Sequence, residues 1–330
     1  MDEMSMGTTK SRSVALLIET GSVYTRSLLD GVAKYHRENP LWNIAFVKRV
    51  ARERPPEWLR TWKGDGIIAR VDTYEMAEAL RQTGLPVVNT SAQYEVPEFP
   101  VIKWDGDTAA ELVIDHFRQQ GFKQFAFCGG STRMWSEDRK AAFVGRLAKL
   151  DVASHHETAY ELHTPIDGCP HDQTKRIIAW LKTLPKPIAI WASLDSLGIV
   201  VVEAAIRAGL RVPDDVAVMG IDNDEMFCRI SRVPLSSISL DGERVGYEAA
   251  QWLEQMMSGA KVPSGTIRTV PPNGLIARDS TDMRLGKTKL DVLSNQQRKN
   301  VSQPTFRHRN QDNECHSASS FESQGRHSFQ

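Results

Sequence analysis

Residues 216–221 read Val-Ala-Val-Met-Gly-Ile, and the polar run Asp222-Asn223-Asp224 follows them directly. The six residues show no alternation between apolar and polar side chains, which indicates a strand that is covered on both faces. Strands of this kind occur in parallel sheets that carry helices on both sides. The stretch therefore predicts an α/β fold with a polar loop at the carboxyl end of a buried strand.

The same pattern recurs from Ser13 to Thr281, where short apolar runs alternate with amphipathic stretches. This alternation is typical of βα units around parallel sheets. Further strands are predicted at residues 14–18, 44–47, 66–69, 86–89, 125–128 and 188–191. Helices are predicted at residues 27–38, 73–83, 108–120, 137–150, 173–184, 196–208 and 243–258, where apolar residues recur at helical spacing.

Two lobes are predicted because the series of βα units starts again near residue 105, after the proline-bounded segment 97–100. A strand pair is expected at 266–270 and 275–277, so the chain crosses between the lobes more than once. Both lobes are expected to be doubly wound around a parallel sheet. The N-terminal lobe is predicted to comprise residues 12–104 with 239–269, and the C-terminal lobe residues 105–238 with 270–282.

The segment 283–330 breaks this pattern. It holds eight Lys/Arg against four Asp/Glu and is rich in Ser, Gln, Asn, Arg and His. Such a composition buries too little apolar surface to offset the entropy of ordering, so a disordered basic tail is predicted. A frame disruption near residue 283 would explain this abrupt change in composition.

Composition excludes several classes of protein. The chain has 41 Lys+Arg, 41 Asp+Glu and 41% apolar residues, which is typical of a globular protein. No apolar run reaches the roughly 18 residues that span a bilayer, and the run 14–18 is too short for an export signal. We therefore expect a cytoplasmic protein without a membrane partner. The four cysteines lie far apart and are expected to be free thiols.

Signatures of enzymes, cofactors and metals are missing. Residues 64–69 match a variant of the dinucleotide fingerprint, but their glycines precede a strand instead of joining a strand to a helix. No G-x-S-x-G motif occurs. One cluster holds metal-type ligands at spacings that match no familiar zinc pattern: His155, His156, His163, Cys169 and His171. No cofactor and no metal are expected.

Polar residues that follow predicted strands are the candidate ligand contacts, because open α/β sheets bind ligands at the carboxyl ends of their strands. The main candidates are Asp105, Arg139, Asp195 and Asp222. Carboxylates accept hydrogen bonds from vicinal hydroxyls and a guanidinium donates in a fixed fork, so the set suits a polyhydroxylated ligand. Tyr24, Trp104 and Trp135 could cover the C–H face of a sugar.

Each candidate also has a structural interpretation. Asp195 and Asp105 precede predicted helices and could serve only as helix caps. Arg139 could be an exposed helix residue, and the three aromatic residues could pack in a core. Asp222 is the strongest candidate, since it lies where a buried strand meets a loop.

Several motifs carry a resemblance to a known family. The stretch 216–224 with the following Pro234-Leu235-Ser236-Ser237-Ile238 resembles the effector-binding part of LacI/GalR regulators, which have the type I periplasmic-binding-protein fold. The resemblance narrows to AraC-family xylose operon regulators, in which a LacI-like sensor precedes a DNA-binding domain. It is carried by residues 24–32, 62–69, 135–139 and 278–282 and extends over about residues 12–282.

This resemblance implies a sensor whose lobes close on a monosaccharide, D-xylose, and a homodimeric assembly. It implies sugar contacts from six residues: Asp105, Arg139, Asp195, Asp222, Tyr24 and Arg26. Relatives continue with two helix-turn-helix units where this chain has a segment without helical periodicity. DNA is thus expected as a partner only if a C-terminal AraC-type domain is restored.

Two alternatives to a sensor remain open. One is a sugar-binding protein that feeds a transporter, against which the expected lack of an export signal counts. The other is a doubly wound enzyme acting on sugars, with Asp195 or Asp222 as a general base; no pair of nucleophile and base supports it.

Overall fold

The computed structural model describes residues 11–40, 42–91, 93–94, 96–130, 133–150, 159–162 and 170–283. Of residues 159–162 and 170–172 it describes the backbone. The predicted disordered tail, apart from Met283, lies outside the described residues. So do four members of the predicted His/Cys cluster, His155, His156, His163 and Cys169.

The first sheet has six strands, all parallel, in the order β11-β5-β4-β3-β1-β2. These strands are β1 (Arg12–Leu17), β2 (Trp42–Phe46), β3 (Gly66–Ala69), β4 (Val87–Asn89), β5 (Val101–Trp104) and β11 (Ile267–Val270). Successive residues of β1 enter different cores, with Val14 and Leu16 in one and Ala15 and Leu17 in another. Both faces of this sheet are therefore covered, as the apolar runs predicted.

The second sheet has the order β12-β10-β9-β8-β6-β7. Its strands are β6 (Phe125–Gly130), β7 (Ala159–Leu162), β8 (Ile188–Ala192), β9 (Val216–Ile221), β10 (Ser236–Ser239) and β12 (Gly274–Ile276). All pairs are parallel except β10 with β12. The predicted strand pair at 266–270 and 275–277 is wrong as a pair, because β11 joins the first sheet and β12 the second.

Eight α-helices and one short 3-10 helix are described between the strands. The helices are α1 (Val23–Glu38), α2 (Tyr74–Thr83), α3 (Gly106–Gln119), α4 (Met134–Lys149), α5 (Pro170–Thr183), α6 (Asp195–Arg207), α7 (Glu225–Ile230) and α8 (Gly242–Met257), and the 3-10 helix is Glu57–Arg60. The predicted α/β architecture with two parallel-dominated sheets is confirmed. Two residues at the predicted lobe boundaries lie in the other lobe's sheet. Ser239, predicted to begin a segment of the N-terminal lobe, is in the second sheet, and Val270, predicted to begin a segment of the C-terminal lobe, is in the first. The division into lobes itself stays a prediction.

Helix α8 follows a strand of the second sheet but packs on α1, next to the first sheet. The close approach depends on glycine, because a Cβ at Gly31 would overlap the Glu243 carbonyl oxygen and a Cβ at Gly246 would overlap that of Leu28. This contact fixes α1, whose first turn carries Tyr24. The Ser22 hydroxyl starts the helix by accepting a hydrogen bond from the Thr25 N–H at 3.1 Å.

Among the described residues, no helix combines the length and apolar character needed to cross a bilayer.

Candidate functional site

Residues that follow strands of both sheets come together in what we call the central polar cluster: Tyr24, Arg70, Arg139, Asp195 and Asp222. Tyr24 comes from the first-sheet side, and its ring centroid lies 5.8 Å from the guanidinium carbon of Arg70. Burial raises the pKa of Tyr24 to about 12, and the charges of Arg70, Asp222 and Arg139 also act on it. The ends of the two sheets therefore share one electrostatic environment.

Arg139 lies at the centre of the cluster, between two tryptophan rings. Its guanidinium carbon is 4.8 Å from the ring centroid of Trp104, at the end of β5, and 5.0 Å from that of Trp135 in α4. The side chain is only 5% exposed, so the interpretation as an exposed helix residue is wrong. Its Nη2 donates to Asp222 Oδ1 at 3.3 Å, and its Nη1 donates to the Ser193 carbonyl oxygen. Burial lowers the pKa of Arg139, and the charge of Asp222 opposes this shift. The two ring contacts are cation–π interactions with the guanidinium.

Asp222 directly follows β9 and has an uncommon backbone conformation. Its φ is 104° and that of Asn223 is 51°, both in the left-handed region that costs non-glycine residues free energy. Its N–H donates to the Ile238 carbonyl oxygen at 3.0 Å. Burial raises the pKa of the Asp222 carboxyl, and Arg139 lowers it. The strained turn thus presents a largely buried carboxylate to the guanidinium across the cluster.

Asp195 is the first residue of α6 and is 2% exposed. The interpretation as a helix cap is wrong, because Leu194 occupies the N-cap position. Its Oδ1 instead accepts a hydrogen bond from the Ser237 hydroxyl at 2.5 Å, and its Oδ2 accepts one from the Asp224 N–H at 2.7 Å. Burial raises its pKa to about 7, and the neighbouring charge of Asp222 adds to the shift. Asp195 therefore supports the loop that carries Asp222.

The side chains of the two remaining predicted residues, Asp105 and Arg26, form hydrogen bonds within their own local segments. The carboxylate of Asp105 accepts a hydrogen bond from the Thr108 N–H at 3.1 Å and caps α3, although it directly follows Trp104. Arg26 is exposed, and its Nη1 donates to the carbonyl oxygen of Thr20 in its own loop at 3.0 Å. The fold therefore brings Tyr24, Arg139, Asp195 and Asp222 together and leaves Arg26 outside the cluster.

Comparison with known proteins identifies the family. The family described as "XylR N-terminal domain" matches residues 13–105, and the one described as "Periplasmic binding protein-like domain" matches residues 114–281. The xylose operon regulatory protein of Haemophilus influenzae is 30% identical over 279 residues, 82% of this chain and 70% of the relative. The chain belongs to the xylose operon regulator family.

Further relatives agree with this membership of the xylose operon regulators. The xylose operon regulatory protein of Escherichia coli K12 is 30% identical over 84% of this chain and 71% of its own length. The structure titled as the xylose-binding transcription activator XylR superposes with a TM-score of 0.72 at 27% identity, covering 84% of this chain and 71% of that one. The chain thus contains the sugar-sensing domain of a transcription regulator with a periplasmic-binding-protein-like fold.

Arg70 belongs to the central polar cluster, but it was not among the residues predicted from the sequence. Its Nε donates to Glu19 Oε1 at 2.7 Å, and its Nη1 donates to the Thr90 carbonyl oxygen at 3.0 Å. Both charged side chains are 15% exposed. The signal was present, because Arg70 directly follows the predicted strand 66–69, in the position that made Asp222 a candidate. Glu19 lies in the loop after β1, where polar contacts were expected.

Several buried polar atoms of the regulator domain have no hydrogen-bond partner among the described residues. They include the Tyr24 hydroxyl, Arg139 Nε and the Ser193 hydroxyl. Buried polar groups in folded proteins nearly always bond to protein, water or ligand. The site therefore offers both donors and acceptors to a small polar molecule. Among the residues that the structure describes, no three His, Cys, Asp or Glu side chains come together as a metal site would require.

Proposed function

We propose that this chain binds D-xylose as an effector, at the central polar cluster. The observation that carries the proposal is the largely buried Arg139–Asp222 ion pair. Its guanidinium lies over the rings of Trp104 and Trp135, and both charges act on Tyr24, whose hydroxyl has no partner among the described residues. The relatives named above as xylose regulators support xylose as the sugar.

The chemistry of the cluster suits a neutral polyol. The Asp222 carboxylate has further lone pairs for sugar hydroxyls, Arg139 has a free Nε–H, and the Tyr24 hydroxyl both donates and accepts. The two cations are each matched by a carboxylate, Arg139 by Asp222 and Arg70 by Glu19. A ligand with its own charge would disturb this balance, whereas a pentose adds only hydroxyl groups and a C–H face. Asp195 would contribute as the support of Asp222, and Asp105 through its position beside Trp104.

We propose that binding closes the two predicted lobes on the sugar. Tyr24 and Arg70 belong to the predicted N-terminal lobe, while Arg139 and Asp222 belong to the C-terminal one. A ligand shifts a conformational equilibrium only by its differential affinity for the two states. Contacts from both lobes give that difference, because all of them form together only when the lobes are close.

The intact regulator is proposed to act on DNA through a C-terminal AraC-type domain, and to do so in the cytoplasm. We also propose a homodimer that forms through β2. This strand is an edge of the first sheet, and it exposes Ile44 and Phe46, with Val47 and Val50 following. An exposed apolar edge of this kind pairs well with a second copy of itself.

Calorimetric titration tests the assignment of the sugar. D-xylose is expected to bind saturably and more tightly than L-arabinose, D-ribose or D-glucose. Absence of heat with every sugar of the panel would refute the sensor function. Preference for another pentose would keep the sensor and replace the ligand.

The chain is proposed to bind its sugar without converting it. Incubation of the protein with D-xylose, followed by chromatography of the sugar, should return it unchanged. Product formation that is lost on Asp222→Asn would favour the enzyme alternative, with Asp222 as the general base.

A further inference from the structure

We propose that Arg278 is a positioning residue that couples the Asp222–Asn223 turn to residues 278–283, the segment that follows the last strand of the sensor. The inference rests on the proposed function, because it takes Asp222 as a ligand contact. It goes beyond that function by naming the route through which sugar binding reaches the end of the sensor.

The Arg278 side chain joins the turn to Leu235, the residue that precedes β10. Its Nη2 donates to Asn223 Oδ1 at 2.8 Å, and its Nη1 donates to the Leu235 carbonyl oxygen at 2.8 Å. The side chain is 15% exposed, so these bonds are shielded from water. Bonds from a charged donor are among the stronger hydrogen bonds in proteins. They can therefore hold a turn whose two residues both lie in the left-handed region.

The backbone around Arg278 is bound to the same two strands that carry the turn. The Ser236 hydroxyl accepts a hydrogen bond from the Arg278 N–H at 2.7 Å. The Ser280 hydroxyl donates to the Val218 carbonyl oxygen at 2.7 Å, and the Ser280 carbonyl oxygen accepts from the Val218 N–H at 3.0 Å. Val218 belongs to β9, the strand that Asp222 directly follows. Residues 278–283 are thus hydrogen-bonded to the same strand, β9, that leads into the Asp222–Asn223 turn.

Thr281 continues this attachment to α3. Its hydroxyl lies 2.8 Å from the Ser236 hydroxyl and 2.8 Å from His116 Nε2, and the residue is fully buried. In β10, Ser236 therefore binds the end of the sensor. The next residue, Ser237, accepts a hydrogen bond from the Asn223 N–H at 3.1 Å and donates to Asp195. Consecutive residues of a strand point to opposite faces, so β10 connects the two regions directly.

Coupling of this kind is reciprocal. If sugar binding stabilises the turn, it must also stabilise the bonds of residues 278–283, and loosening those residues must weaken sugar binding by the same factor. Two substitutions at one position separate the side-chain bond from the backbone conformation. Asn223→Gly keeps the left-handed conformation accessible but removes the acceptor, whereas Asn223→Asp keeps an acceptor oxygen for Arg278.

Hydrogen exchange measured by mass spectrometry tests the proposal on the full chain, with and without D-xylose. Without sugar, Arg278→Ala and Asn223→Gly should speed exchange at residues 222–224 by about tenfold, as expected for the loss of a bond to a charged group. Asn223→Asp should stay near the wild-type rate. Arg211→Ala, which removes an exposed arginine paired with Asp215, is the control and should also leave the rate unchanged.

With sugar, exchange at residues 278–283 should slow in the wild-type chain and in Asn223→Asp, but not in Asn223→Gly. Wild-type rates at 222–224 in both Arg278→Ala and Asn223→Gly would overturn the positioning role. Sugar protection of 278–283 that survives in Asn223→Gly would overturn the coupling. If the wild-type chain binds no sugar, the proposed function fails, while the sugar-free rates still decide the positioning role. Should Arg278→Ala not fold, Asn223→Gly provides the same test.

Discussion

Gly220 leaves the space that the carboxylate of Asp195 occupies. A Cβ at Gly220 would overlap Asp195 Oδ1, the same oxygen that accepts the hydrogen bond from the Ser237 hydroxyl. A glycine within a buried strand ordinarily weakens it, since glycine packs no side chain. Here it allows a carboxylate to lie against β9 and to support the loop after it.

Gly220→Ala should therefore displace Asp195 and loosen the Asp222 loop. We expect a loss of about 1–3 kcal/mol in the free energy of unfolding, as for overpacked cores. Weaker D-xylose binding should accompany it. Gly145→Ala is the matched control, because a Cβ at Gly145 in α4 meets no atom within 4 Å. Urea denaturation measures the free energy of unfolding, and calorimetry measures the affinity for D-xylose. Wild-type values of both for Gly220→Ala would contradict the prediction.

Arg139→Lys should weaken D-xylose binding by about 1.5–3 kcal/mol, the value of a hydrogen bond to a charged group. Lysine keeps the charge but loses the planar fork and its contacts with the rings of Trp104 and Trp135. Calorimetric titration measures the effect. Arg207→Lys, at an exposed arginine paired with Glu203, is the control and should bind like the wild type. Equal affinities for both variants would mean that the guanidinium does not contact the sugar.

Asp195 should make stability depend on pH. Its pKa of about 7 in the folded chain lies above the ordinary value near 4, so the folded state holds the proton more tightly. Its contribution to stability is complete below about pH 4 and is lost as pH rises to 7. Relative to the wild type, Asp195→Asn should gain up to ~1.4 kcal/mol per pH unit over that range. Urea denaturation at several pH values measures this, and parallel curves for the two proteins would exclude a raised pKa.

Gly31→Ala should destabilise the chain by about 1–3 kcal/mol, because the new methyl group forces α1 away from the Glu243 carbonyl oxygen in α8. Gly21→Ala changes the same residue type ten positions earlier, where a Cβ meets no atom within 4 Å, and should be nearly neutral. Thermal unfolding followed by circular dichroism compares the two. Similar melting temperatures would show that the two helices separate at little cost.

Phe46→Glu should convert the proposed homodimer into a monomer, since it places a charge in the apolar edge formed by β2. Sedimentation equilibrium gives the mass directly. Tyr74→Glu, at another exposed aromatic side chain, is the control and should remain dimeric. If the wild-type chain is a monomer, the proposed homodimer is wrong. If Phe46→Glu is still dimeric, the dimer does not form through β2.

Much of the secondary structure was predicted correctly from the local pattern of apolar residues. The strand at 216–221 and the strand at 66–69 have the bounds that their apolar runs predicted, because a strand covered on both faces leaves a continuous apolar signal. Helix starts were less predictable: α1 begins at Val23, four residues before the predicted start, where Ser22 and Thr25 cap each other. Such a cap combines side-chain and backbone bonds that apolar periodicity does not record.

Asp222 could be recognised as a site candidate from its place after a buried strand, and Arg70 could have been recognised by the same argument. What sequence could not show is which partner each residue meets. Asp195 and Asp105 both look like helix caps in the sequence, yet only Asp105 caps its helix, while Asp195 binds Ser237 and Asp224.

The sequence by itself determined the two parallel-dominated sheets and the edge at which polar residues collect, because local residue patterns show which segments form buried strands and how helices alternate with them. Only the tertiary structure decided that Arg139 lies between Trp104 and Trp135 and that β11 and β12 join different sheets. Those contacts join segments far apart in the chain. Their formation depends on how whole helices and sheets pack, and that packing has no counterpart in the spacing of neighbouring residues.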